Sequence, residues 1–338
     1  MTNRVCEILG IEKPVIQAAM AYLTTPEMVA AVSNAGGLGT LGLSGESADQ
    51  LRDKLIKIKS LTDKPFALNL SPFKDPQEDA VTHASSSNAS DAGEEDTTPI
   101  SAATAEEIFQ LAVAENVSVV LWSGLMNRKW AKKFKEAGIK IIFRAVTPTA
   151  ENTREAIEAG VDVIIATGFD EGGTVPAKVI GTFAILPLIV DAADGKVPVV
   201  AAGGLVDKRT VRAAFDLGAE GVYAGTAFLA TEESPLAENI KQDMLKYDAD
   251  DLLMFRAPNS FYRSLPGELP EKLLEMDKQG KSAAEIWAAA GDYNCLLYGM
   301  RDGDLSRGIA SFGLGISSIH SIDPVSVVVD RLNSGVIA

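Results

Sequence analysis

Eight short apolar runs, each followed by a stretch of helical periodicity, constrain this chain more than any other feature. They fall at residues 14–19, 38–42, 66–70, 117–122, 139–145, 161–166, 197–201 and 221–224. Runs of this length, rich in Val, Ile and Ala, suit strands covered on both faces, and the alternation predicts a parallel sheet flanked by helices. Eight such units is the count of an α/β (β/α)8 TIM barrel, with a doubly wound sheet as the second choice. The 338 residues hold one barrel of about 250 residues and an addition. Local signals agree. Thr24 or Thr25 caps a helix running to about residue 35, Pro26 and Glu27 fit its first turn, and Gly36-Gly37 stop it.

Two segments interrupt the alternation. Residues 74–101, with Ser85-Ser86-Ser87-Asn88 and the acidic run 91–96, hold few large apolar groups and cannot offset the entropy of ordering. A mobile loop is expected there. Following strand three, it falls at the C-terminal face of a barrel, where it could serve as a lid. Residues 231–303 carry helical patterns near 236–247, 271–279 and 283–291, and read as a helical subdomain inserted after strand eight. The barrel domain is then 1–230 and 304–338, with a Gly-rich stretch and a closing helix near 324–332.

The net charge of -15 argues against a nucleic-acid or anionic-membrane surface. No stretch approaches eighteen uninterrupted apolar residues, and residues 1–10 lack an apolar leader segment. Cys6 and Cys295 have no paired spacing and read as reduced thiols of a cytoplasmic protein. His83 and His320 follow no predicted strand, so neither a histidine base nor a catalytic metal is expected. The expected partner is a small molecule, with no nucleic acid and no membrane. The helical segment could cover the pocket or form a homodimer face.

Candidate binding residues cluster at the C-terminal ends of the runs. Ala202-Gly203-Gly204 and Ala224-Gly225-Thr226 end the seventh and eighth, and in a barrel those two loops form the usual phosphate site. Glycine lets bare backbone N–H groups approach an anion closely. Ala18, Ala19 and Met20 end the first run with small or soft groups suited to a flat ligand, although a Met is more often plain core filling. Asn69 offers a donor and an acceptor to a heterocycle edge, or else caps local backbone. After the sixth run comes Thr167-Gly168-Phe169-Asp170-Glu171-Gly172-Gly173-Thr174, a tight loop over the barrel mouth. Asp170 and Glu171 are acid–base candidates, but adjacent carboxylates in such a loop are more often solvated. Thr174 brings a hydroxyl that can hydrogen-bond but has no basicity near neutral pH.

Together these residues resemble the nitronate monooxygenase family and its relatives, the flavin-dependent enoyl-ACP reductase II enzymes and an NADH:quinone reductase group. The likeness runs in order through residues 14–21, 31–39 and 64–69, then Glu171-Gly172-Gly173, Ala202-Gly203-Gly204 and residues 225–228, and fades beyond. It implies a TIM barrel holding FMN at its mouth. Ala18, Ala19 and Met20 would line the isoalloxazine, Asn69 would hydrogen-bond it, and Thr167 would face it. Gly173, Gly203, Gly204, Gly225 and Thr226 would bind the ribityl phosphate, flanked by Gly172, Ala202 and Ala224. One position departs: the family's proposed proton-relay histidine is Thr174 here, so Thr174 is the catalytic candidate. The implied activity is oxidation of small nitronates with O2. The alternatives are NAD(P)H-dependent reduction of quinones or enoyl thioesters, a flavin-binding protein without catalysis, and a sugar-phosphate isomerase or aldolase barrel using Arg144 or Asp170.

Overall fold

The computed structural model describes residues 3–43, 45–70 and 104–337; the acidic segment 74–101 and His83 therefore lie outside the described residues. Eight parallel strands alternate with helices: β1 (Val15–Gln17), β2 (Gly39–Leu41), β3 (Phe66–Leu70), β4 (Val119–Ser123), β5 (Lys140–Arg144), β6 (Val163–Thr167), β7 (Val199–Ala202) and β8 (Gly221–Ala224). They pair in the order β1-β8-β7-β6-β5-β4-β3-β2. The ends meet through the parallel bridge Ile16–Leu38, where Leu38 N donates to Val15 O at 2.9 Å. The result is a nearly closed (β/α)8 TIM barrel.

Period-2 alternation divides each strand between two cores. On β6, Val163 and Ile165 join Ile142, Val200 and Tyr223 inside the barrel, while Ile164 and Ala166 face the helices. The helix Arg4–Leu9 closes the bottom, packing Val5 and Leu9, with Ile11 after it, beneath those inward residues. Asn3 caps it by accepting from Cys6 N, and Asn3 Nδ2 donates to Glu220 O at 2.8 Å, which fixes the plug to the barrel wall. Outer helices start where side chains meet orphan N–H groups: Thr25 caps Pro26–Asn34, and Ser47, Thr104, Thr149 and Asp207 form reciprocal capping boxes. Among the described residues no helix is long and apolar enough to cross a membrane.

Between β8 and the closing helix Val325–Asn333, the helices are Thr226–Leu229, Glu238–Met244, Glu268–Lys278 and Ala283–Ala290, with short turns beyond. The segment also contains an antiparallel hairpin, β9 (Leu253–Ala257) and β10 (Ser260–Ser264), which the helical reading lacks. Its turn is Pro258-Asn259, with Asn259 at φ 52, a left-handed conformation that Asn tolerates. Five-residue strands interrupted by Arg256 and Arg263 leave little alternation to detect. The hairpin and its helices bury Phe255, Tyr262, Leu273, Ile286 and Trp287 in a cluster separate from the barrel cores. Cys295 lies in that cluster, and burial raises its thiol to about 12; Cys6 is likewise a free thiol.

Candidate functional site

One cavity of about 270 Å³ opens at the C-terminal mouth of the barrel. Part of its wall is backbone. After β7 the chain turns through Gly203 (φ 105) and Gly204 (φ 72), conformations that L side chains rarely adopt. A Cβ on Gly203 would stand 2.6 Å from Thr182 Oγ1, so the corner admits no side chain. Among the described residues, the N–H groups of Gly203, Gly204 and Gly225 donate to no protein acceptor. These residues are half-buried and line the cavity, so their N–H groups are open to water or to a ligand. The two corners differ in their downstream helices. Gly225 leads directly into the short helix Thr226–Leu229, whereas the helix Lys208–Asp216, capped by Asp207, starts only beyond Leu205 and Val206 on the Gly204 side. The C-terminal segment completes this part: Gly313 N donates to Thr226 Oγ1 at 2.9 Å, and Gly315 packs under the Gly204 carbonyl.

Ala18, Ala19 and Met20 form one side wall. Ala18 N donates to Ala224 O at 2.8 Å and Ala19 N donates to the Tyr223 hydroxyl at 2.9 Å, which holds this strand end against β8. Asn69 and Ser123 also line the cavity, and the Ser123 hydroxyl donates to Asn69 Oδ1 at 3.0 Å. Among the described residues the Asn69 amide nitrogen has no partner, so it remains a donor to a ligand. Arg144 and Glu171 line the same cavity as an ion pair. Arg144 Nη2 donates to both carboxylate oxygens at 2.7 and 2.6 Å, with side-chain exposures of only 13% and 11%. Burial raises the Glu171 carboxyl to about 7, against the opposing pull of Arg144 and Arg263. Burial likewise raises the Tyr223 phenol.

The loop after β6 is held from above by the hairpin. Arg263 is nearly fully buried; its Nη2 donates to Phe169 O and its Nη1 to Glu171 O, both at 2.7 Å. Val175 N donates to Phe261 O at 3.0 Å, and the Phe261 ring meets Phe169 edge-on at 5.7 Å. Gly173 N donates to Ser311 Oγ, and the Thr174 hydroxyl lies 2.7 Å from that of Tyr262. Tyr262 in turn stacks on Trp287 at 4.8 Å.

Of the residues singled out in the sequence, Ala18, Ala19, Met20, Asn69, Gly172, Gly173, Thr174, Ala202, Gly203, Gly204, Ala224, Gly225 and Thr226 all line this cavity. Thr167 does not. It ends β6 fully buried, its hydroxyl without a partner among the described residues. The two loop carboxylates depart from the solvated reading: Glu171 pairs with Arg144, and Asp170 Oδ2 accepts from Thr182 N at 2.5 Å, capping the helix Thr182–Ala193. Residues that sequence reasoning passed over also line the cavity, chiefly Ser123, Tyr223, Tyr262, Trp287, Tyr293 and Ser311. The glycines at 308, 313 and 315 were a usable signal for the last of these. Nothing local marks Tyr262, because its place depends on a hairpin returning to the barrel mouth.

A bare-amide corner, a small-residue wall and a polar edge suit a flat ligand that carries an anionic tail. The ionisable groups lining the cavity are Arg144, Glu171, Tyr223, Tyr262 and Tyr293, and among the described residues no histidine lines it. Comparison with known proteins points to one group. The family model described as nitronate monooxygenase matches residues 2–335. A probable nitronate monooxygenase of Staphylococcus aureus (strain MRSA252) is 34% identical over 280 residues, 75% of each chain. One from Staphylococcus saprophyticus is 34% identical over 304 residues, 82% of each. Among solved structures, FabK from Thermotoga maritima superposes with a TM-score of 0.82 at 28% identity, covering 98% of this chain and 95% of that one. A nitroalkane oxidase from Streptomyces ansochromogenes, at 24% identity and a TM-score of 0.75 over 95% of each chain, shares the fold.

Proposed function

The chain belongs to the nitronate monooxygenase family of oxidoreductases, and from that premise we propose an FMN-dependent enzyme that oxidises small nitronates with O2 as acceptor. The observation that carries this reading is a set of free backbone donors in the cavity wall. Gly203, Gly204 and Gly225 supply them, and Gly225 lies beside the small and soft side chains of Ala18 and Met20. That pattern fits FMN, whose phosphate suits unencumbered N–H groups and whose ring suits the wall of Ala18, Ala19 and Met20. Thr226, Gly172, Gly173, Ala202 and Ala224 complete the proposed contacts. The free amide of Asn69 is the polar group proposed to face the ring; Thr167, buried outside the cavity lining, is not among the proposed contacts. When bound, FMN supplies the two-electron chemistry, and the protein contributes orientation and electrostatics.

The chain's own residues narrow the substrate. A neutral nitroalkane must lose a proton before oxidation, and Thr174 cannot take it. Glu171 has both oxygens engaged by Arg144. A nitronate arrives already deprotonated and needs only a hydrogen-bond donor for its oxygen, which Thr174 can be. The same hydroxyl suits the carbonyl of a quinone or enoyl thioester, so NAD(P)H-dependent reduction is the second reading; the close superposition on FabK favours keeping it. Anaerobic titration separates the two. Bleaching by an alkyl nitronate but not by NADH or NADPH supports the first, bleaching by a pyridine nucleotide the second, and bleaching by neither opposes both. We further propose that the protein acts in the cytoplasm, with residues 231–303 as a subdomain of the 1–230 and 304–338 barrel.

A further inference from the structure

Thr174 does not stand alone in the loop after β6. Thr174 Oγ1 and Tyr262 Oη are 2.7 Å apart, and Tyr262 comes from the inserted hairpin, nearly fully buried beside Trp287. We propose that Tyr262 is a positioning residue which fixes the Thr174 proton toward the cavity, making the pair a neutral donor for an anionic substrate oxygen. This rests on the FMN reading above.

The direction of the proton follows from acidity. At this distance either hydroxyl can be the donor; a phenol is the more acidic of the two, which favours donation from Tyr262 to Thr174 Oγ1. With its oxygen occupied on that side, Thr174 has its own O–H left for the cavity, which it lines. Tyr262 also shares a hydrogen bond with Tyr293, and its single proton is left for Thr174 when Tyr293 is the donor of that bond. Burial holds the Tyr262 phenol well above its ordinary value, and the facing thiol of Cys295 is raised to about 12. The pair therefore stays protonated over the whole working range and donates without titrating. A histidine in the same place would exchange protons and could act as a base. Thr174 with Tyr262 recognises charge that is already on oxygen, as in a nitronate or a developing enolate. The hairpin thus completes the site: its Arg263 pins the loop and its Tyr262 aims the loop's hydroxyl.

The test uses FMN-loaded protein and two probes, propyl-1-nitronate and the coenzyme A thioester of but-2-enoic acid. Tyr262→Phe retains the ring and its stacking on Trp287. It is expected to lower kcat/KM for whichever probe the wild type turns over by about 10–100-fold, the range for a lost hydrogen bond to a charged group. Thr174→Val should do the same, and adding Tyr262→Phe to Thr174→Val should cost less than about 2-fold more, since one residue acts through the other. Thr174→Ser should restore activity to within a few-fold. Additive losses, or a Tyr262→Phe enzyme with full FMN content and unchanged kcat/KM, would overturn the proposal. So would a yellow wild type that neither binds nor turns over either probe. A colourless protein would instead bring down the FMN reading beneath it.

Discussion

At the scale of single residues, the cavity separates groups that bind from groups that merely hold charge. Gly204 belongs to the first kind. At φ 72 it takes a conformation that a β-branched residue resists, and its N–H is one of the free donors. Gly204→Val should cost the protein its cofactor while leaving most of the fold, read as loss of yellow colour on dialysis with little change in far-ultraviolet circular dichroism. Retained colour would contradict the assignment. Glu171 belongs to the second kind. Burial raises its carboxyl from 4.5 to about 7, so the folded chain binds that proton more tightly than the unfolded one. Its contribution to stability is then present below about pH 4.5 and fades as the pH rises through about 7. The whole effect is at most about 3 kcal/mol. Glu171→Gln should remove that slope; parallel stability–pH curves for the two proteins would show that the carboxylate is ionised at no cost. Thr174→His tests the loop from the other direction. If the loop faces the flavin, the new base should bring activity on neutral nitroalkanes with a pH dependence near about 6 to 7, and an unchanged pH–rate profile would argue against that placement.

At the scale of elements, the loop after β6 takes its shape from a hairpin nearly a hundred residues away. Arg263 donates to two loop carbonyls and lies over the Phe169 ring at 4.6 Å. Arg263→Ala leaves both carbonyls short of a donor in a buried setting and should cost about 2–4 kcal/mol in chemical denaturation. The same variant should admit protease at residues 169–175 before global unfolding. A loss under about 1 kcal/mol with an intact loop would mean that its other bonds, among them Val175–Phe261 and Gly173–Ser311, suffice to hold it. This dependence also explains what could be read from the sequence. Strands β1 to β8 declare themselves as apolar runs, and the glycine corners declare themselves because backbone conformation is a local property. Tyr262, Arg263 and the Arg144–Glu171 pair do not, because each acquires its role only when distant segments meet. Asp170 misleads for the same reason: its partner, Thr182 N, lies twelve residues further along the chain.

At the scale of the whole molecule, the barrel is sealed at the bottom by the plug Arg4–Leu9 and open at the top, so its ligand chemistry has one face to occupy. That is the usual division in this architecture, with stability at the N-terminal ends of the strands and function at the C-terminal ends. The acidic balance of the chain does not oppose an anionic ligand there, because the donors proposed to meet it are backbone N–H dipoles. The claim on which the rest depends is that these backbone donors grip a phosphate. Equilibrium titration of the cofactor-free protein with FMN and with riboflavin, which lacks only that phosphate, tests it most directly. The account predicts at least about 100-fold tighter binding of FMN, with the preference abolished in Gly204→Val. Equal affinities for the two flavins would contradict it.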